Sequence, residues 1–128
     1  MTPDVAAAIE EIRHDYPDAA VTVREDADGG AFVTIDPVDP GPAYVQETTW
    51  VKFHITFQYP QSDVYPHFVR PDLSRKDGQG LGDGMSASRA PNDEEAAIQI
   101  SRRSNRLNPA TDTAALKLTK VLEWLRAR

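Results

Sequence analysis

Ten consecutive residues, Thr48-Thr-Trp-Val-Lys-Phe-His-Ile-Thr-Phe57, constrain this chain more than any other stretch. In an extended strand, successive side chains point to opposite faces. Val51, Phe53, Ile55 and Phe57 therefore share one face, while Lys52, His54 and Thr56 share the other. A strand buried on both faces would read as an unbroken apolar run. This alternation instead predicts an antiparallel sheet with one face covered and one wet. The rest of the chain has to supply the cover.

Two helices are predicted to do so. Thr2 caps the first, Pro3 suits its first position, and Asp4 complements its positive end. Val5, Ile9, Ile12 and Tyr16 recur at helical spacing, Glu10, Glu11 and Arg13 point to solvent, and Pro17 stops the helix. The last helix is expected to start near Thr111 or Asp112, after Pro109, with Ala114, Leu118, Val121, Leu122 and Leu125 as its buried stripe. Between the helices, Ala20 to Glu25 reads as a strand and Asp26 to Gly30 as a turn. Ala31 to Ile35 reads as a second strand. Asp36-Pro-Val-Asp-Pro-Gly-Pro42 holds three prolines, which predicts a loop or an edge irregularity.

Residues 74–95 form a long polar stretch with four glycines between Gly78 and Gly84, read as a loop that is either functional or disordered. Ala96 to Ser101 reads as a short strand or a helical turn. The order is that of one α+β domain over 1–128: an N-terminal helix, an antiparallel meander of three to four strands, a long loop and a C-terminal helix.

With 128 residues, 40% of them apolar, the chain suffices for one modest core. It contains no cysteine, which removes disulfides, thiolate metal sites and thiol nucleophiles together. A net charge of −6 argues against nucleic-acid binding, which depends on neutralising phosphates. The charge is uneven: residues 101–128 carry seven Lys or Arg against Asp112 and Glu123. No apolar run approaches the ~20 residues of a membrane span. The N-terminus lacks a signal peptide's basic start, so a cytoplasmic location is the expectation.

The stretch after the long strand carries a resemblance. Phe53-His-Ile-Thr-Phe57 is followed by Tyr59-Pro60, Tyr65-Pro66 and Pro71-Asp72-Leu73. On the predicted element order, this segment resembles the ubiquitin-conjugating superfamily, including its non-catalytic variants and the RWD domains. There, an alternating strand runs into Phe-Pro, Tyr-Pro and a further Pro. Conjugating enzymes also carry His-Pro-Asn shortly before the catalytic cysteine, and Ala90-Pro91-Asn92 stands at a comparable place. Eight residues beyond Asn92 is Ile100, and counting back from Asn108-Pro109, which resembles the family's Ser-Pro, leads to Gln99. Neither can form a thioester. Ser101 lies beside them, and Asn92 is equally suited to a turn or a helix cap. The chain departs from the family in its missing nucleophile, in its acidic first helix, and in about two extra residues between the Tyr-Pro pairs. It ends after the first helix beyond the catalytic segment, as compact bacterial relatives do.

The resemblance implies a non-catalytic binding module for a ubiquitin-like protein or an enzyme of its conjugation pathway, such as the activating enzyme. The expected contact residues are Tyr59, Pro60, Tyr65, Pro66, His67, Arg102, Arg103 and Arg106, with the sheet face around Lys52, His54 and Thr56. The arginines would grip a carboxylate or an acidic face, or else pair with Asp93, Glu94 and Glu95. Two alternatives stand beside this: a conjugating enzyme whose cysteine has been replaced by Ser or Ala within residues 86–104, and an unrelated α+β interaction scaffold.

Other chemistry finds little purchase. His14, His54 and His67 have no metal-ligand spacing, although His54 and His67 could meet in space. Asp77 to Gly84 lacks both the calcium-hand spacing and a Gly-Lys-Ser/Thr ending. Ser101 and Ser104 lack an identifiable base. No metal or cofactor is expected. Trp50 and Trp124 read as interface anchors or as partly buried core residues.

Overall fold

The computed structural model describes Met1–Arg128. Helix α1 (Pro3–Asp15) is followed by six strands, β1 (Ala20–Glu25), β2 (Ala31–Val38), β3 (Thr49–Ile55), β4 (His67–Val69), β5 (Met85–Arg89) and β6 (Ala96–Ile100), and then by helix α2 (Ala114–Arg126). The strands form one sheet in the order β1-β2-β3-β4-β6-β5, every neighbouring pair antiparallel.

Both helices cover the same face. Val51, Phe53 and Ile55 of β3 are fully buried there, beside Ala31, Val33 and Ile35 of β2 and Ile100 of β6. Val5, Ile9 and Ile12 of α1 and Leu118, Leu122 and Leu125 of α2 complete the core. The α1 N-terminus has the anticipated cap, with Thr2 Oγ1 accepting the Val5 N–H at 3.2 Å. Polar contacts also link the helices: Tyr16 and Thr119 share a 2.7 Å hydrogen bond, and Thr113 Oγ1 donates to Glu11 at 2.9 Å.

The opposite face carries a smaller apolar group, Phe68, Ala90 and Ala97 with Trp50. The turn between β5 and β6 anchors there, since Lys52 Nζ reaches Asp93 at 2.7 Å and Glu95 at 2.6 Å. Burial opposes the Lys52 charge, but these two carboxylates outweigh it and raise its pKa.

The sheet has six strands where three or four were expected, because His67–Val69 in the proline-rich stretch after β3 pairs as β4 and because the stretch 74–95 is not all loop. Met85-Ser-Ala-Ser-Arg89 has no β-branched or aromatic residue and is a strand through its backbone pairing with β6. Ala96–Ile100 is that partner strand, inserted between β4 and β5. Strand β2 runs on through Pro37 to Val38, with a register break between Ile35 and Val38 that accommodates the proline's missing donor. Strand β3 stops at Ile55, and a turn closes as the Tyr59 N–H bonds to the Thr56 carbonyl, leaving Phe57 51% exposed rather than on the buried face. Helix α2 starts at Ala114, capped by Thr113, because the Thr111 and Asp112 N–H groups fold back onto the Asn108 carbonyl as a turn. No helix is long and apolar enough to cross a membrane.

Candidate functional site

Where β6 ends, the chain enters Ser101 to Thr113 and crosses the flank of α2. Ser104 is fastened there by a charged network. Its N–H donates to Asp63 Oδ2 at 2.7 Å and its hydroxyl to Oδ1 at 2.9 Å. Lys117 Nζ, on α2, lies 2.9 and 3.1 Å from the two Asp63 oxygens and 3.0 Å from Ser104 Oγ. Lys117 is 8% exposed. Burial works against the Asp63 charge, but the bonds from Ser104 and Lys117 outweigh it and hold the carboxyl below its ordinary pKa. With its cation committed to a carboxylate, Lys117 is no base for Ser104. The three side chains instead pin loop 56–66, loop 101–113 and α2 together.

Around this pin opens a cleft of about 260 Å³, lined by Arg102, Arg103, Arg106, Lys117, Lys120 and Trp124, with Asp112 as its one carboxylate. Arg102 lies over the Trp124 ring at 5.0 Å and Arg103 over the Tyr65 ring at 4.1 Å, both held as cation–π pairs. Arg128 stacks on Trp124 at 4.3 Å and donates to the Leu81 carbonyl at 2.6 Å, tying the glycine-rich segment to the end of α2. No carboxylate oxygen lies within 4.0 Å of the charged groups of Arg102, Arg103, Arg106 or Lys120. The acidic residues that could have neutralised them are elsewhere: Asp93 and Glu95 hold Lys52. On a chain of net charge −6, this is a local concentration of unpaired cations suited to a carboxylate or another anion.

The anticipated site residues divide into two groups. Arg102, Arg103, Arg106 and Tyr65 come together at the cleft. Tyr59 does not line it: it sits by an adjoining small cavity with Asp63 and Lys117, 9% exposed, its hydroxyl accepting the Ala114 N–H at 3.1 Å at the start of α2. Pro60 and Pro66 are half-buried beside the tyrosines that precede them. His67 is not a contact residue. It is fully buried on the helix-covered face beside Phe53, its ring centroid 5.1 Å from the phenyl, and neither ring nitrogen has a partner. Burial, helped by the Lys117 charge and opposed by Asp63, pushes its pKa down to about 3.

The positions resembling a conjugating active site are not assembled. Asn92 occupies the β5–β6 turn with φ +75°, the left-handed conformation of a turn residue. Pro91 precedes it there. Ser101 sits at the open end of the same hairpin, its N–H bonded to the Gly84 carbonyl at 2.8 Å. The length of β6, roughly 17 Å at 3.4 Å per residue, separates the two. Ile100 is fully buried, and Gln99 pairs in register with Phe68 and Ser86.

The polar sheet face is also largely committed. His54 Nε2 meets Asp26 Oδ2 at 2.6 Å, which holds the Asp26 carboxyl down at about 2, and Thr56 bonds to Ser62 at 2.9 Å. His54 and His67 point to opposite faces and do not meet. No group of three or more metal-ligating side chains occurs.

Sequence reading missed Asp63, Lys117 and Lys120. A signal for Lys117 was present: it adjoins Leu118 inside the apolar stripe of α2, where a charge requires a partner. Comparison of the chain with protein-family models, with curated proteins and with solved structures finds no match.

Proposed function

We propose that the chain is a non-catalytic, ubiquitin-conjugating-like binding module that holds an acidic face or carboxylate of a ubiquitin-like protein, or of an enzyme of its conjugation pathway. The observation that carries this reading is the cleft: Arg102, Arg103, Arg106 and Lys120 converge without acidic partners, and Trp124 and Tyr65 hold two of the guanidinium groups in place. Further support comes from the helix–antiparallel sheet–helix order, from the Tyr65 ring of the Tyr-Pro segment stacking on Arg103, and from the absence of any thiol. The separation of Asn92 from Ser101 favours binding over conjugation.

The test is calorimetric titration of the purified chain with the ubiquitin-like proteins and activating enzymes encoded in its own genome. Binding of at least one is expected, and Arg102→Glu/Arg103→Glu weakens it by about tenfold or more, as loss of charge complementarity requires. Intact mass stays unchanged throughout. Absence of any binding overturns the proposal, and a covalent adduct on this chain overturns its non-catalytic part.

A further inference from the structure

The two edges of the sheet are treated differently. At the β1 edge, the Asp26 N–H bonds back to the Gly30 carbonyl at 3.1 Å. By the alternation of an antiparallel ladder, Val21, Val23 and Glu25 then turn their backbone groups outward. That edge is guarded. Arg13 Nη1 donates to the Val21 carbonyl at 2.8 Å, and the charged Arg24 and Glu25 stand on the strand, Glu25 holding the N-terminal amine at 2.8 Å. Natural sheets use such devices to prevent a foreign strand from adding.

Strand β5, at the other edge, has only a terminal charge for protection. The Gly84 carbonyl takes the Ser101 N–H and the Ala90 N–H donates to Glu95, both at 2.8 Å, so Gly84, Ser86, Ser88 and Ala90 face β6. Met85, Ala87 and Arg89 therefore present their N–H and C=O groups outward, and no other segment hydrogen-bonds to them. The strand reads Met-Ser-Ala-Ser-Arg: it has no proline, no lysine and no bulge, and its one charge, Arg89, is at the end away from α2. Ser86, Ala87 and Arg89 are exposed.

The other end of β5 runs into the cleft. Gly84 lies so close to Trp124 that a Cβ there would stand 3.1 Å from the indole, and Trp124 carries Arg102 and lines the cationic cleft. We propose that β5 takes up an extended, acidic segment of a partner protein as a seventh strand, whose backbone pairs with Met85, Ala87 and Arg89 and whose carboxylates enter the cleft at Arg102 and Arg103. The inference rests on the cleft being an anion site, as in the reading above, and adds the conformation and chemistry of what it receives. Charge selects this occupant over a second copy of the chain. Antiparallel pairing of two β5 strands would bring the Arg89 of each to the cationic end of the other, and in the turn beyond it Asp93 and Glu95 are already held by Lys52 of their own chain, which leaves Glu94 as the one carboxylate to offset it.

The probe is the synthetic peptide Thr-Val-Thr-Val-Glu-Asp-Glu-Asp, labelled with fluorescein at its amino end and followed by anisotropy with the full chain. Ala87→Pro removes an outward N–H and leaves the β5–β6 ladder its donors, so the fold is retained. Binding is expected, weakened about tenfold or more by Ala87→Pro and also by Arg102→Glu/Arg103→Glu. Methylating alternate peptide nitrogens abolishes it on the unaltered chain, a readout independent of how any variant folds. Binding lost with the arginines but indifferent to Ala87→Pro and to methylation overturns the added strand and leaves the cleft reading intact. Binding lost with Ala87→Pro but indifferent to the arginines overturns the acidic segment and the cleft reading with it. A dimer in sedimentation that Ala87→Pro dissociates assigns the edge to a second copy and overturns the proposal, as does absence of peptide binding.

Discussion

His67 sits in β4 with the alternation of a core residue but the chemistry of a titratable one. Its two ring nitrogens are buried without partners, and its pKa is pushed down to about 3 from an ordinary 6.5, by burial first and then by the nearby Lys117 cation. Between those values the unfolded chain binds a proton that the folded chain excludes, so stability falls as pH drops below 6.5. The linkage amounts to about 2 kcal/mol between roughly pH 7.5 and pH 5. Asp26 and Asp63, whose pKa values are depressed, contribute stability that is lost only on further acidification through the carboxylate range. His67→Leu is expected to raise stability near pH 5 and flatten the slope between pH 5 and 7.5, measured by urea unfolding across that range. An unchanged slope in the variant would assign the effect to other groups.

At the scale of elements, the Asp63–Ser104–Lys117 network joins three segments that the sheet does not connect. Loop 56–66 leaves β3, loop 101–113 leaves β6, and α2 crosses both. Removing one member of a buried pair strands the other's charge, which costs more than the pair itself contributes. Lys117→Met is therefore expected to lower unfolding free energy by about 3 kcal/mol. The double variant Asp63→Asn/Lys117→Met recovers much of that loss, because no uncompensated charge is left and the amide oxygen still accepts from Ser104. Denaturant midpoints of the two variants decide this, and equal losses would mean that the pair itself, rather than a stranded carboxylate, supplies the stability.

Over the whole molecule, residues 101–128 are cationic on an otherwise acidic chain, and four cations without carboxylate partners, Arg102, Arg103, Arg106 and Lys120, are gathered in one cleft. Such a field orients an acidic partner before contact and is screened beyond a Debye length, about 10 Å at 0.1 M salt. The association rate with a captured acidic partner is expected to fall about tenfold between 0.05 and 0.5 M salt, while dissociation changes less. Stopped-flow fluorescence reads both rates. An association rate independent of salt would show that the cleft does not steer.

Local chemistry alone determined the alternation of Thr49 to Ile55, the Thr2-Pro3 helix start, the apolar stripe of α2 and the lack of any thiol. From these follow the one-sided sheet, the two covering helices and the exclusion of thioester chemistry. Tertiary structure decided the rest, because the information lies in pairings between distant residues. Met85-Ser-Ala-Ser-Arg89 has no β-branched or aromatic residue and becomes β5 through hydrogen bonds to β6. Asp63, Ser104 and Lys117 are polar residues far apart in the chain whose meaning appears only when burial forces them to satisfy one another. The three arginines were visible from the start, but whether they were neutralised depended on where Asp93 and Glu95 went, and those turned to Lys52 on the far face of the sheet.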